Sequence, residues 1–431
     1  MAQAEVKIWG KSVGAVIWDN NRDLAIFEFE KKFVNLGIDL APITMPLEEL
    51  QNGNTIYSFP HLNEITFKKM PGMLADSLPD KFGNKLIDIW LAQNGRSPND
   101  FTPVERLCYV GKRAMGALEF QKALRADKAS MEEIQLKDLV AIANKIVAQK
   151  EGLKTTFEVG ETKALEQIIK VGTSAGGMRP KAIIAMNKKN GKIISGQINA
   201  SEDYDYWILK FDGIQDDLFG DPQGYGIIEY IYYKMAIEAK IIMTECKLLK
   251  EGSRSHFMTK RFDRKNGEKI HMQTLTGIAH FDFNDIGSTS YEQLFQVMRR
   301  LRLGNDEIEQ MYRRLVFNIV AKNQDDHTKN TSFILPENGV WKLSPAYDIT
   351  YSYNPEKGRN TNKHQMSVNG KRENFTRNDL LNIANDINIK KADDIIDEII
   401  ESVSKWPKLA KDCGLKKEKI EKIYNNLELS L

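Results

Sequence analysis

The chain has 431 residues, 28% charged and 42% hydrophobic, with 61 basic against 59 acidic side chains. That length exceeds one ordinary domain and can bury a sizeable core, so two or three substructures are expected without disulfide support. Near-neutral charge argues against a chain that binds nucleic acid through bulk positive charge, although local basic patches stay open, and the scattered Cys108, Cys246 and Cys413 form no Cys-x-x-Cys pair, which argues against a zinc site and for a reducing compartment. The start of the chain carries no apolar signal core, and no run approaches the roughly 20 apolar residues of a bilayer span. The expected location is the cytoplasm, with no membrane partner.

Two β-rich segments, residues 12–18 and 24–29, are divided by the turn Asp19-Asn20-Asn21. The run from Pro71 to Asp80 punctuates the chain ahead of a helix that continues through Trp90. A polar connector then closes a first unit, residues 1–125. Leu136, Leu139, Val140, Ala143, Ile146 and Val147 make one apolar helical stripe. Residues 165–265 read as strands with one helix. Residues 182–186 and 193–195 flank the turn Asn190-Gly191; residues 207–211 give a further strand, 226–240 the helix, and 257–262 a strand leading to a turn at Asn266-Gly267. These belong to a second unit, 126–265. Leu294, Val297, Met298 and Leu301 then share a helical face, and helical character returns from Arg377, so the third unit, 266–431, is a helical lobe. The fold class expected is α+β: a protein-kinase-like two-lobed fold with a β-rich amino-terminal part and a mostly helical carboxy-terminal lobe.

The chemistry concentrates in Asn323-Gln324-Asp325-Asp326-His327-Thr328-Lys329-Asn330 and in Asp348. Asp325 and Asn330 are five apart, the spacing at which a kinase catalytic loop places its base and its metal-binding amide. A lone Asp or Asn ordinarily stabilises a turn through its own backbone. Here the polar run follows an apolar helix and precedes a strand-like segment, so three oxygen ligands gather around one hairpin. Asp325 would accept the acceptor hydroxyl proton, while Asn330 and Asp348 would hold Mg2+ against the phosphates of ATP. His327 is either a phosphate contact or a satisfied structural histidine. Asp326 reads as a spare carboxylate facing solvent.

Gly172, Gly176 and Gly177 would let backbone N–H groups approach phosphate, with Lys181 following as a point charge. The loop is not a Walker motif, since Met178 stands where that pattern needs lysine, and it lacks the third glycine of the dinucleotide pattern. A bare turn before a strand is the plainer reading of this loop taken alone. Lys210 is either an edge-strand guard against aggregation or the strand lysine that neutralises nucleotide phosphates. In the second case Glu229, on the following helix, is the expected partner, with Glu238 on the same helix as the other candidate.

These residues resemble the HipA family of serine/threonine kinase toxins from bacterial type II toxin-antitoxin operons. The likeness spans most of the chain: Val6 to Gly10, Leu74 to Asp80, Ser174 to Lys181, Lys210, Arg261-Phe262-Asp263-Arg264, Asp325 to Asn330, and Pro345 to Asp348. The resemblance implies Asp325 as catalytic carboxylate, Asn330 and Asp348 as Mg2+ ligands, and Lys181 and Lys210 as ATP-phosphate contacts. It also implies a hinge around Lys260, Phe262 and Asp263 whose backbone meets adenine, and autophosphorylation of Ser174 that switches the enzyme off. A phosphate on that loop would compete with ATP for the same cations and amides. The implied protein substrate is a translation-related enzyme such as glutamyl-tRNA synthetase. The implied partner is a separate helix-turn-helix antitoxin, through which alone DNA would be reached. Two positions depart from the familiar pattern, Lys260 for glutamate and Asp326 for glycine. A small-molecule phosphotransferase and a catalytically silent antitoxin-binding corepressor are the rival readings.

Overall fold

The computed structural model describes residues 2–121, 133–147, 159–172, 180–198, 200–212, 224–252, 254–337, 339–356 and 360–431. Ser174, with the rest of 173–179, lies outside them. The chain forms two compact units: one comprises Met1–Ile38, Leu47–Gly226 and Glu245–Met272, the other Asp39–Pro46, Ile227–Thr244 and Gln273–Leu431.

The first unit opens with an antiparallel sheet built from β1 (Gln3–Ile8), β2 (Lys11–Asp19), β3 (Leu24–Phe29), β4 (Ile56–Tyr57) and β5 (Leu118–Gln121), in the order β4-β3-β2-β1-β5. Alternating burial along β1, with Ala4, Val6 and Ile8 inside, is what period-two side chains give when one face is covered. Trp9 and Gly10, at φ of 47° and 76°, make the two-residue turn into β2. Positive φ at both central residues is the hairpin geometry that matches strand twist. Trp9 carries the strain with its indole N–H bonded to the Lys269 carbonyl at 2.8 Å. At the next turn Asp19 Oδ1 accepts the Asn21 amide at 2.9 Å, so the predicted turn residue closes the predicted hairpin.

A second sheet comprises β6 (Lys181–Asn187), β7 (Ile193–Ser195), β8 (Tyr204–Lys210), β9 (Cys246–Glu251) and β10 (Arg254–Lys260), ordered β7-β6-β8-β10-β9. Ala182 to Ala185 is a continuous buried run, which a strand shows when both its faces are covered. Leu86 from helix Lys81–Gln93, Val140 from Leu136–Val147 and Ile168 from Val159–Gly172 pack with Ile184 and Leu209 into one core. The helix Val159–Gly172 was not expected from the sequence. It ends where Gly172 meets Leu86 so closely that a Cβ would lie 2.6 Å from the leucine methyl.

The strand expected at 257–262 stops at Lys260. Beyond it, Arg261 turns inward and pairs with the buried Asp263 carboxylate through two bonds of 2.8 and 2.7 Å. Asp263 also accepts from Arg264 at 2.7 Å and from the Gly116 amide at 2.8 Å, tying residue 116 to the end of β10.

The second unit is mostly helical, with Asn305–Val320 at its centre. Tyr232, from helix Tyr225–Glu238, meets Phe317 and Trp406 edge-on, at 6.1 and 5.7 Å between ring centres. Helix Tyr291–Arg300 begins in a capping box in which Ser290 and Gln293 satisfy each other's amides. After Val320 a short polar loop leads into the hairpin Ser332–Leu335 and Lys342–Leu343. The molecule is therefore mixed α and β, β-rich toward the amino terminus and helical toward the carboxy terminus. No helix among the described residues is long and apolar enough to cross a membrane.

Candidate active site

In the second unit the loop 321–330 is held from several sides. The Asp325 amide N–H donates to Ser352 Oγ at 2.9 Å, and Ser352 in turn bonds Asn323 Oδ1 at 3.2 Å. Asn330 Nδ2 donates to the Asp325 carbonyl at 2.8 Å, so the five-residue spacing closes into a turn. The Asn330 amide nitrogen is thereby committed within the turn. Tyr347 donates its hydroxyl to the Lys329 carbonyl at 2.7 Å, stitching the Asp348 segment to the Asn330 turn. Asn330, Tyr347 and Ile349 line one small cavity together with Asp326. Asp348 sits at φ 53°, in the left-handed region that aspartate enters more readily than most non-glycine residues. Hard oxygens from an amide and a carboxylate suit Mg2+ in chemistry.

The two adjacent acids differ completely. The Asp325 carboxylate is 45% exposed, with His327 Nε2 at 3.8 Å, beyond hydrogen-bond range. Asp326, expected to face solvent, is 5% exposed. It accepts from the Gln365 amide at 2.7 Å and from Tyr291 at 3.0 Å, and lies 2.9 Å from His364 Nδ1. Burial alone would raise its pKa, but the charge of His364 and these hydrogen bonds outweigh it and hold Asp326 below the usual carboxylate value. Asp326 is thus the anchor of the loop. His327 packs on Phe283, with ring centres 5.5 Å apart.

The phosphate-side candidates lie in the first unit. Lys181 and Lys210 are direct cross-strand partners of β6 and β8. β8 is interior to the sheet, so the edge-strand reading of Lys210 does not hold. Like charges placed opposite one another on a sheet repel unless an anion lies near. Lys181 is buried, with Asp80 Oδ2 3.9 Å from its Nζ; Lys210 Nζ sits 5.6 Å from the centre of the Phe257 ring. In the sequence Asp80 closes both the punctuation before a helix and the Leu74–Asp80 run of the family resemblance. It caps helix Lys81–Gln93 through Gly83 N at 2.6 Å and also faces a lysine 101 positions later, a contact that no local pattern signals.

At the expected hinge, Lys260 Nζ bonds Asp205 at 2.8 Å and Phe262 is half-buried. The Asp263 carboxylate is committed to Arg261, Arg264 and Gly116, and its carbonyl accepts the Ile270 amide at 3.0 Å and Arg264 Nη1 at 2.9 Å. Glu229 is buried on helix Tyr225–Glu238, within the second unit. Its rival Glu238 is bonded to Lys405. Sequence reading missed His364 and Gln365, which approach the loop from about 40 residues downstream. Gln365 donates from Nε2 to Asp325 Oδ1 at 2.6 Å.

A family model described as the HipA N-terminal domain matches residues 4–121, and one described as the HipA-like C-terminal domain matches residues 173–428. The chain belongs to the HipA family. Among curated relatives, this HipA-family chain is similar to a "Putative kinase" of Haemophilus influenzae, 30% identical over 119 residues, covering 24% of this chain and 35% of that protein. It is also similar to "Putative kinase Y4dM" of Sinorhizobium fredii, 27% identical over 126 residues, covering 29% and 31% respectively. The chain spans about a third of the length of these relatives. A solved structure described as the Shewanella oneidensis MR-1 toxin antitoxin system HipA, HipB and its operator DNA complex matches with a TM-score of 0.66. That match covers 98% of this chain and 94% of the other at 16% identity, and it establishes the HipA fold along nearly the whole length.

Proposed function

We propose that this HipA-family chain is an ATP- and Mg2+-dependent protein serine/threonine kinase, the cytoplasmic toxin of a toxin-antitoxin pair. The observation that carries this reading is the closed Asp325–Asn330 turn, stitched by Tyr347 to the left-handed Asp348. In the proposal Asp325 orients the acceptor hydroxyl and takes its proton. Asn330 and Asp348 would hold Mg2+, which when bound neutralises charge on the transferring phosphoryl group. Lys181 and Lys210 contact the ATP phosphates, Glu229 is the acid that the kinase pattern pairs with a strand lysine, and the backbone around Lys260, Phe262 and Asp263 receives adenine. His327 stands beside the base, available to phosphate or to the loop itself. Residues 1–125, 126–265 and 266–431 serve as family-specific, nucleotide-binding and catalytic parts.

The acceptor is a translation-related protein, such as an aminoacyl-tRNA synthetase, and Ser174 is the site of self-inactivation. A separate helix-turn-helix antitoxin is the partner, and DNA is reached through it; the HipB and operator DNA named for the Shewanella complex support this. Asp325→Asn is expected to abolish transfer from labelled ATP while Mg-ATP affinity stays within about threefold, because a positioned base supplies rate rather than nucleotide binding. Wild-type turnover in that variant removes the base assignment. Identifying the phosphopeptide formed when the protein meets cell lysate and ATP names the acceptor; label appearing only on sugars or antibiotics would instead make it a small-molecule phosphotransferase. Ser174→Ala is expected to abolish the time-dependent loss of activity seen on preincubation with ATP.

A further inference from the structure

Asp325 is a half-exposed carboxylate, and a base that swings between rotamers cannot meet the acceptor hydroxyl reproducibly. Its hydrogen bond from Gln365 Nε2, 2.6 Å to Oδ1, limits that motion. Gln365 is 6% exposed, so the donor comes from the protein interior rather than from a mobile surface chain. The main chain of the same residue is anchored independently. Its N–H donates to Asp326 Oδ1 at 2.7 Å, and its carbonyl accepts the Gly287 amide at 2.9 Å. The preceding residue is equally fixed: His364 pairs with Asp326 at 2.9 Å, stacks edge-on against Phe375, and accepts Arg372 Nε at its carbonyl at 2.6 Å. With the backbone held by these bonds, the Gln365 side-chain amide is not needed to keep the segment in place. Its donor is spent on Asp325.

We propose that Gln365 is a positioning residue for Asp325, binding one carboxylate oxygen so that the other faces the acceptor hydroxyl. The inference rests on the kinase reading for its catalytic consequence, but not for the geometry. The residue type fits the task. A lysine or arginine here would stabilise the ionised carboxylate strongly and blunt it as a base, and a carboxylate would repel it, whereas a neutral amide fixes orientation at small electrostatic cost. The buried Asp326 carries the segment that delivers the amide, which gives the second acid of the Asp-Asp pair a part in presenting the first.

The test is Gln365→Leu and Gln365→Met against wild type, with crystal structures for the Asp325 rotamer, calorimetric Mg-ATP affinity, thermal unfolding and single-turnover transfer. The expected result for both variants is an Asp325 carboxylate turned away from its wild-type rotamer, unchanged Mg-ATP affinity and unfolding temperature, and transfer slowed about ten- to a hundredfold, the range for a group misplaced by about 1 Å. A purely structural role would lower the unfolding temperature and leave single-turnover rates of the folded enzyme intact, and that result overturns the proposal. An unmoved Asp325 also overturns it. If wild type transfers no phosphoryl group to any acceptor while Asp325 still moves in both variants, the positioning stands and the kinase reading falls.

Discussion

Asp325 and Asp326 share a peptide bond, yet one is turned to solvent and the other is sealed among a histidine, a tyrosine and a backbone amide. Removing a partner from a buried charged network leaves its counterparts desolvated, which costs about 3–5 kcal/mol. Asp326→Ala is therefore expected to lower unfolding free energy by that order in a urea titration, while Asp325→Ala costs about 1 kcal/mol or less. Equal losses at the two positions would contradict the division of labour between them. The eight-residue run announces the chemistry without saying which acid points inward. Asp326's partners Tyr291 and His364 come from 35 residues before and 38 after, beyond any local pattern. Gln365 was hidden for the same reason: a lone glutamine carries no spacing signal, and only the fold brings it to Asp325.

At the scale of elements, the decisive juxtaposition is β6 beside β8, which sets Lys181 against Lys210, with Asp80 at the end of helix Lys81–Gln93 beside the first of them. Asp80 does two things, accepting from Gly83 N as the helix cap and facing the Lys181 ammonium. Loss of an N-cap costs about 1 kcal/mol, and removing one member of a buried pair of opposite charges adds to it. Asp80→Ala is expected to destabilise by at least the cap's share, about 1 kcal/mol, and Lys181→Met added to it should recover the part that came from weakening the attraction between the two charges. Strict additivity of the two changes in denaturant titrations would show that the pair is not coupled. Elements whose cause lies within a dozen residues were legible: the 19–21 and 190–191 turns, the apolar stripe at 136–147, and β8. The helix Val159–Gly172 was not. Its middle, Lys163 to Gln167, is made of good helix formers, but it starts and ends with Val-Gly, which blurs both boundaries, and its apolar face packs against Leu86, Ile184 and their neighbours in the shared core.

Across the whole molecule, buried histidines set the response to acid. Burial pushes His271 down to about 3 and His280 down to about 4, and it lowers His256 as well against the opposing charges of Asp212 and Glu251. An unfolded histidine titrates near ~6.5, so below that pH the unfolded chain takes up protons that the folded chain refuses. These groups contribute their full stabilisation above that pH and lose it as pH falls toward the folded values. Each such histidine is worth up to about 1.4 kcal/mol per pH unit within the window. Asp326 and Asp263 act below it. Burial would raise the Asp263 carboxyl, but Arg261 and Arg264 hold it well under the usual range, so its contribution is lost only at lower pH still. Unfolding midpoints in urea should therefore fall steadily from pH 7 to pH 5, before carboxylate protonation contributes much. His271→Gln should flatten that slope by roughly one histidine's share. Midpoints that stay level between pH 7 and 5 would mean that the buried imidazoles admit protons without unfolding, and that the packing around His271 is looser than its burial implies.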